Sequence, residues 1–345
     1  MSPSPPSRRG LRLVLLVLGL AVLAAVFWKV GWRPVSENLA RIGWWFPVLV
    51  GLWAFPLAAF VEGWRSVIVP RPGVAFLPKL AGAYLAGDAV NYVGAGVAGE
   101  PVRAFLLRPE VPGSAGFASI NLRKQAEIIA QVCLLIPGIV FALSAFRIPR
   151  LLAAPAVVGA LVVGGGMALM TWGLRRGSYS PILRRLSRRK SLAALLSGFH
   201  EGAADVDEGI RRFYRNDGRR FAASIGWSFL GWCGGLVETW LILRLLGVGS
   251  GWGTALAIET LTMALNTLLL FIPGRLGGAE GVRTGVFVAL GLPGAAGAAY
   301  ALIRRARELV WTLPGVLVLV RRHATDFLRP DAAATGRLAD AEVSR

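Results

Sequence analysis

The same four polar markers occur twice in this chain, in the same order, each in a segment otherwise too apolar to sit in water. Val61-Glu62-Gly63-Trp64 matches Val237-Glu238-Thr239-Trp240, and Asn91 matches Asn266. Glu100-Pro101-Val102-Arg103 matches Glu280-Gly281-Val282-Arg283. Lys124 and Glu127, ahead of Ile136-Pro137-Gly138, match Arg305 and Glu308, ahead of Leu313-Pro314-Gly315. Partners stay between 175 and 181 residues apart, a constancy that unrelated single residues would not show. The pattern reads as a duplication. Duplicated halves with short, glycine-broken apolar segments at matching positions mark a transporter-like fold whose site lies at the repeat interface.

Hydrophobic residues make up 55% of the 345. They form several apolar runs of about 18 residues or more, enough to cross roughly 30 Å of hydrocarbon, so an integral membrane protein is expected. Cys133 and Cys233 lie in apolar segments with no CxxC or Cys/His grouping, so no disulfide, metal site or cofactor is indicated. The isolated His200 and His323 receive no role.

The formal charge of +19 does not point to nucleic acid, because the basic residues gather at the ends of apolar runs. Arg8, Arg9 and Arg12 precede the first run, Arg321, Arg322 and Arg329 follow the last, and residues 175–220 hold 12 Lys or Arg against 5 Asp or Glu. The positive-inside rule makes these regions and both termini cytoplasmic. Anionic headgroups there favour each nearby basic side chain by about 1 kcal/mol. The run Leu13 to Phe27 continues through Trp28 to Val30, which favours an uncleaved first helix over a signal peptide cut near Val22-Leu23-Ala24.

Spans are expected near 11–30, 44–64, 117–143, 151–172, 221–246 and 296–320, with irregular apolar segments near 80–107 and 254–291. If the N-terminus is inside, the first irregular segment must begin and end inside and the second must begin and end outside. Leu80 to Val93 is too short to cross and is followed by Gly94, Gly96 and Gly99. The fold class is therefore an all-α polytopic membrane protein, an inverted-topology repeat with two re-entrant helical hairpins; hairpins that cross fully as two helices stay open. The divisions are 1–43, an anchor helix and external loop; 44–172, the first repeat; 173–220, a basic cytoplasmic linker; 221–325, the second repeat; and 326–345, a disordered tail. Within the linker, Leu195, Leu196, Phe199, Ala203, Val206, Ile210 and Phe213 recur near helical spacing, giving an amphipathic helix on the membrane surface or docked on the bundle. Trp44, Trp45 and Trp172 read as interfacial anchors, and Gly164-Gly165-Gly166 as a helix-packing site.

An ionised side chain at bilayer depth costs roughly 2.5–3.5 kcal/mol on insertion scales, so it needs a partner, water or a ligand. Glu100 with Arg103, and Glu280 with Arg283, are three residues apart beside glycines that admit close backbone approach. Arg103 and Arg283 either engage an anionic headgroup, with Glu100 and Glu280 orienting them or exchanging protons, or form internal pairs that close each hairpin. Half-helix N-termini and arginine forks both suit phosphate. Glu62 and Glu238 read as counter-ions for Lys124, Arg305 or the hairpin arginines, or as substrate-lining groups. Asn91 and Asn266 either hydrogen-bond across helices or meet a headgroup. Asp88 has no counterpart in the second half. Enzyme motifs such as GxSxG, HExxH or a Walker loop do not occur, so no catalytic residue is assigned.

The Asn91 to Arg103 stretch resembles a family pattern of Asn, a Gly-rich turn and Gly-Glu-x-x-Arg. Ile272-Pro273-Gly274-Arg275-Leu276-Gly277-Gly278-Ala279-Glu280-Gly281-Val282-Arg283 is similar to the same family's Pro-x-x-x-Gly-Gly-x-Gly-x-Arg-Glu signature. This is the flippase-like membrane region of lysylphosphatidylglycerol synthases, which also occurs as stand-alone proteins. The chain departs from it in placing Glu280 before Arg283 and Thr284 directly after. Arg307-Glu308-Leu309-Val310-Trp311-Thr312-Leu313-Pro314-Gly315 resembles the subgroup associated with hopanoid biosynthesis. The resemblance implies a flippase or transporter of a phospho-, glyco- or hopanoid lipid, without lysyl-lipid synthesis. The alternative is a non-transporting lipid-binding scaffold that recruits or regulates a lipid-modifying enzyme through the basic loop around Arg184 to Lys190. The partner is a membrane lipid, and a lipid-biosynthesis enzyme or a second copy of the chain stays open.

Overall fold

The computed structural model describes residues 32–93, 99–107, 110–176, 200–248, 251–269 and 277–327, and among these it is helical with no strand. The expected span at 11–30, the glycine turns of both hairpins, the linker before residue 200 and the tail beyond residue 327 lie outside the described residues.

Helix α1, Trp32–Ile42, replaces what was expected as external loop. Val35, Leu39 and Ile42 recur every turn and form an apolar stripe that joins the core, which is why the segment is ordered as helix. Helices α2, Trp45–Leu52, and α3, Ala54–Val67, form one apolar rod broken at Trp53. Pro56 causes the break: it has no N–H for the Leu52 carbonyl, and its ring crowds that oxygen.

A short turn leads into α4, Leu77–Val93, then α5, Gly99–Leu107, and α6, Gly113–Ala145, which contains Pro137. Helix α7 covers Arg150–Arg176 and α8 covers His200–Asn216. The opening order then recurs: α9, Gly218–Leu245, is followed by α10, Trp252–Leu268, α11, Gly278–Ala289, and α12, Gly294–Phe327, which contains Pro314. Three helical stretches, 45–67, 113–145 and 150–176, are long and apolar enough to cross a membrane. The expected spans at 221–246 and 296–320 are helices of 28 and 34 residues, and they carry buried charges that dilute their apolar character.

The two halves interlock reciprocally. Gly138 on α6 packs on Thr260 of α10, and Gly315 on α12 packs on Leu85 of α4, at the matching positions of the two halves. A Cβ at either glycine would overlap its neighbour, so only glycine admits the approach. Helices α3 and α9 also touch through small residues: Gly63 meets Ser224 and Ser228, Gly231 meets Phe60, and Gly234 meets Pro56. Numbers rise along one helix as they fall along the other, so the pair is antiparallel.

Two apolar cores occupy the two ends of the bundle. One holds Trp64, Leu80, Leu107, Ile120 and Leu122, and the other holds Leu135, Ile139, Ile242, Ile258 and Tyr300. Along α6 the charged residues 123–127 fall between them. Helix α8 turns Val206, Ile210 and Phe213 into the first core, so this part of the linker docks on the bundle. Helix α7 leaves Leu151, Leu161, Leu169 and Trp172 exposed, a surface suited to lipid. Gly164, Gly165 and Gly166 have no neighbour within 4 Å of a Cβ built there, so they pack no helix among the described residues. The contact expected of them falls instead to Gly159, which approaches the Ala264 backbone.

Candidate functional site

Both hairpins carry ionised side chains into the layer between the cores, where an unpaired charge is costly. In the first half Glu100, in the opening turn of α5, uses both oxygens: Arg103 donates to Oε1 at 2.6 Å and Arg123 to Oε2 at 2.8 Å. Arg103 is 2% exposed and also donates to Asp88 and to the Tyr84 carbonyl, with its guanidinium 4.7 Å from the Tyr84 ring centre. Arg123 pairs with Glu127, which accepts further from the Tyr84 hydroxyl at 3.2 Å and lies 3.4 Å from Lys124. Asn91 Oδ1 accepts the Gly99 N–H at 2.7 Å and ties the end of α4 to the start of α5. A Cβ at Gly99 would overlap the Gly87 carbonyl, which fixes the need for glycine at this close hairpin contact.

The second half is wired differently. Glu280 and Arg283 do not pair with each other, as an i, i+3 reading expected; both reach across to α12. Arg305 donates to Glu280 at 2.6 Å, and Arg283 donates to Glu308 at 2.7 Å. Arg305 also donates to the Tyr92 hydroxyl of the first half at 2.7 Å and lies 3.5 Å from Glu308. Arg304 pairs with Glu259 and donates to Thr239 at 2.9 Å. Arg307 holds Glu238 through two bonds at 2.9 and 3.0 Å.

Among the described residues, several buried polar atoms of the second hairpin have no hydrogen-bond partner: Arg283 Nε and Nη1, Glu280 Oε2 and Asn266 Oδ1. The corresponding atoms of Arg103, Glu100 and Asn91 in the first half all have partners. The two polar layers therefore differ: in the first only Arg123 Nε lacks a partner among the described residues, whereas in the second the hairpin's own arginine, glutamate and asparagine keep unused hydrogen-bonding capacity.

Two expectations are corrected. Glu62 pairs with Arg65 at 2.6 Å and Arg71 at 2.8 Å, near the end of α3, and not with Lys124, Arg305 or a hairpin arginine. The local Arg65, one turn on, satisfies it first. Glu238 is a counter-ion as expected, but for Arg307 and Arg304. The structure also adds Arg123, Arg304, Arg307, Glu259, Tyr84 and Tyr92 to the network. The repeated spacing itself held a signal for four of them: Arg123 and Arg304 repeat the spacing of Glu127 and Glu308, and Tyr84 and Glu259 that of Asn91 and Asn266.

Arg305 also lines an apolar groove of about 520 Å³ between α1, α2 and α12, formed by Leu39, Ile42, Phe46, Leu302 and Leu309. Among the described residues no His, Cys, Asp or Glu group is arranged to hold a metal. Comparison with curated proteins and with solved structures finds no match. A family model described as the lysylphosphatidylglycerol synthase transmembrane region matches residues 11–315. The chain, an all-helical membrane protein by its fold and its spans, belongs to the lysylphosphatidylglycerol synthase transmembrane-region family.

Proposed function

We propose that this protein moves an amphipathic lipid between leaflets of the bacterial inner membrane, as a transporter and not an enzyme, with the cargo headgroup held at the second hairpin. The unused hydrogen-bonding atoms of Arg283, Glu280 and Asn266 carry this reading. A headgroup that accepts from the guanidinium and donates to the carboxylate and amide would complete them. Phosphate or hydroxyl oxygens supply the first, and hydroxyl or amine hydrogens the second, which suits phospholipids, glycolipids and hopanoid polyols alike.

The architecture we infer is an inverted repeat with re-entrant hairpins. Corresponding helices α3 and α9 pack antiparallel, which supports a pseudo-two-fold axis across the helices and hence in the membrane plane. At 9 and 12 residues, α5 and α11 reach only about 13 and 18 Å, short of a bilayer's hydrocarbon. The groove beside Arg305 would admit an acyl chain or ring system while the headgroup meets the charged layer.

The test is movement of labelled phospholipid, glycolipid and hopanoid across liposomes holding the purified protein. Movement above empty liposomes, reduced by Arg283→Gln, is expected for at least one cargo. No movement of any of the three would contradict the reading.

A further inference from the structure

Away from the hairpins, the last turn of α7 and one face of α8 border an open cavity of about 540 Å³, lined by Arg175, Glu208, Arg211, Tyr214 and Arg215. Glu208, Arg211 and Arg215 follow at three- and four-residue spacing, so they share a face of α8. Three guanidinium groups thus converge on a space that holds one carboxylate. Glu208 stands 3.7 Å from Arg211, with both side chains half exposed or more, a pair too loose and wet to occupy that arginine. Among the described residues, no carboxylate pairs with Arg175 or Arg215.

The helix that carries this basic face is held in place. The opposite face of α8 is anchored by the buried Val206, Ile210 and Phe213. Tyr214 packs edge-on against Phe221, and its hydroxyl donates to Gln125 Oε1, while Gln125 Nε2 donates to Thr171 at 2.7 Å. Burial pushes the Tyr214 phenol up to about 12, so it remains protonated and committed to Gln125. The helix behind the site is therefore fixed, while the exposed side chains of Arg175, Arg211 and Arg215 can turn to a ligand.

We propose that this cavity binds a phosphate monoester, carried either by an anionic lipid headgroup or by a phosphate species free in water. The lining carries a net charge of about +2, and a phosphate monoester carries about −1.5 to −2 at neutral pH. Guanidinium forks match its oxygens in pairs. Trp172, half exposed with Arg176 stacked 4.5 Å from its ring centre, lies one turn from the cavity and has the character of an interfacial anchor. A headgroup in the adjacent leaflet and a soluble anion can both reach it.

Calorimetric titration of the full chain in micelles with inorganic phosphate, and native mass spectrometry from nanodiscs of phosphatidic acid mixed with phosphatidylcholine, test this. Saturable binding of at least one probe is expected, weakened at least about tenfold by Arg211→Gln with Arg215→Gln. Arg175→Gln, on another helix, gives the same direction independently of α8 folding, and Arg212→Gln, outside the lining, leaves affinity unchanged. Phosphate bound in micelles assigns a soluble source, and selective retention of phosphatidic acid alone assigns the lipid. Binding of neither probe, or an equal loss with Arg212→Gln, overturns the proposal.

Discussion

Glu238 takes the guanidinium of Arg307 on both carboxylate oxygens, at 2.9 and 3.0 Å, while the other side of that guanidinium faces the Trp53 ring 3.8 Å from its centre. Both side chains are at most 3% exposed. This contact joins α9 and α12 of the second half to the α2–α3 break of the first.

Removing one member of such a pair strands the other. Glu238→Ala is expected to lower stability by about 3–5 kcal/mol, whereas Glu238→Leu combined with Arg307→Met recovers most of the loss. Thermal unfolding in detergent reads both, and equal melting temperatures for wild type and Glu238→Ala would contradict the assignment.

The paired asparagines are predicted to part company. Asn91 holds the Gly99 N–H, so Asn91→Ala costs about 0.5–1.5 kcal/mol. Asn266 Oδ1 holds no partner among the described residues, so Asn266→Ala is close to neutral in stability and reduces lipid movement instead. Parallel melting and liposome measurements separate the two roles.

How far these helices could be read from sequence depended on range. The repeated markers exposed the recurring order of long helix, hairpin and long helix because Glu100, Arg103, Pro137 and their partners lie at nearly constant offset. Ion pairing was less accessible, since Glu280 and Arg283 satisfy an i, i+3 rule as well as Glu100 and Arg103 do. Which pairs form depends on what α12 brings opposite, and Arg305 and Glu308 come from 25 residues further along. Glu62 was misread for the opposite reason: a local partner, Arg65, outcompeted distant ones.

Close helix contacts give a second stability test. Gly138→Ala and Gly315→Ala each force a Cβ into an occupied position, and each is expected to cost about 1–3 kcal/mol. Gly165→Ala meets open space and gains helix propensity, up to about 1 kcal/mol. Similar losses at the two reciprocal positions, read by thermal unfolding, are the expected result.

The hairpin arginines should also differ. Arg103→Gln leaves Asp88 and Glu100 short of their partner and chiefly lowers stability. Arg283→Gln gives up one ion pair and two unused donors, so it chiefly lowers lipid movement, by about tenfold or more. Comparing transport at matched folded fraction distinguishes them.

The most direct measurement is the sidedness of the two hairpins. Single cysteines at Gly73 and Gly251, in a background with Cys133 and Cys233 replaced by alanine, sit in the exposed turns that lead into α4 and α10. Both positions have negative φ, −64° and −82°, so a side chain is tolerated. An impermeant maleimide added to intact cells is predicted to label Gly251→Cys at once and Gly73→Cys only after permeabilisation. Labelling of both from the same face would contradict hairpins that enter from opposite sides of the membrane.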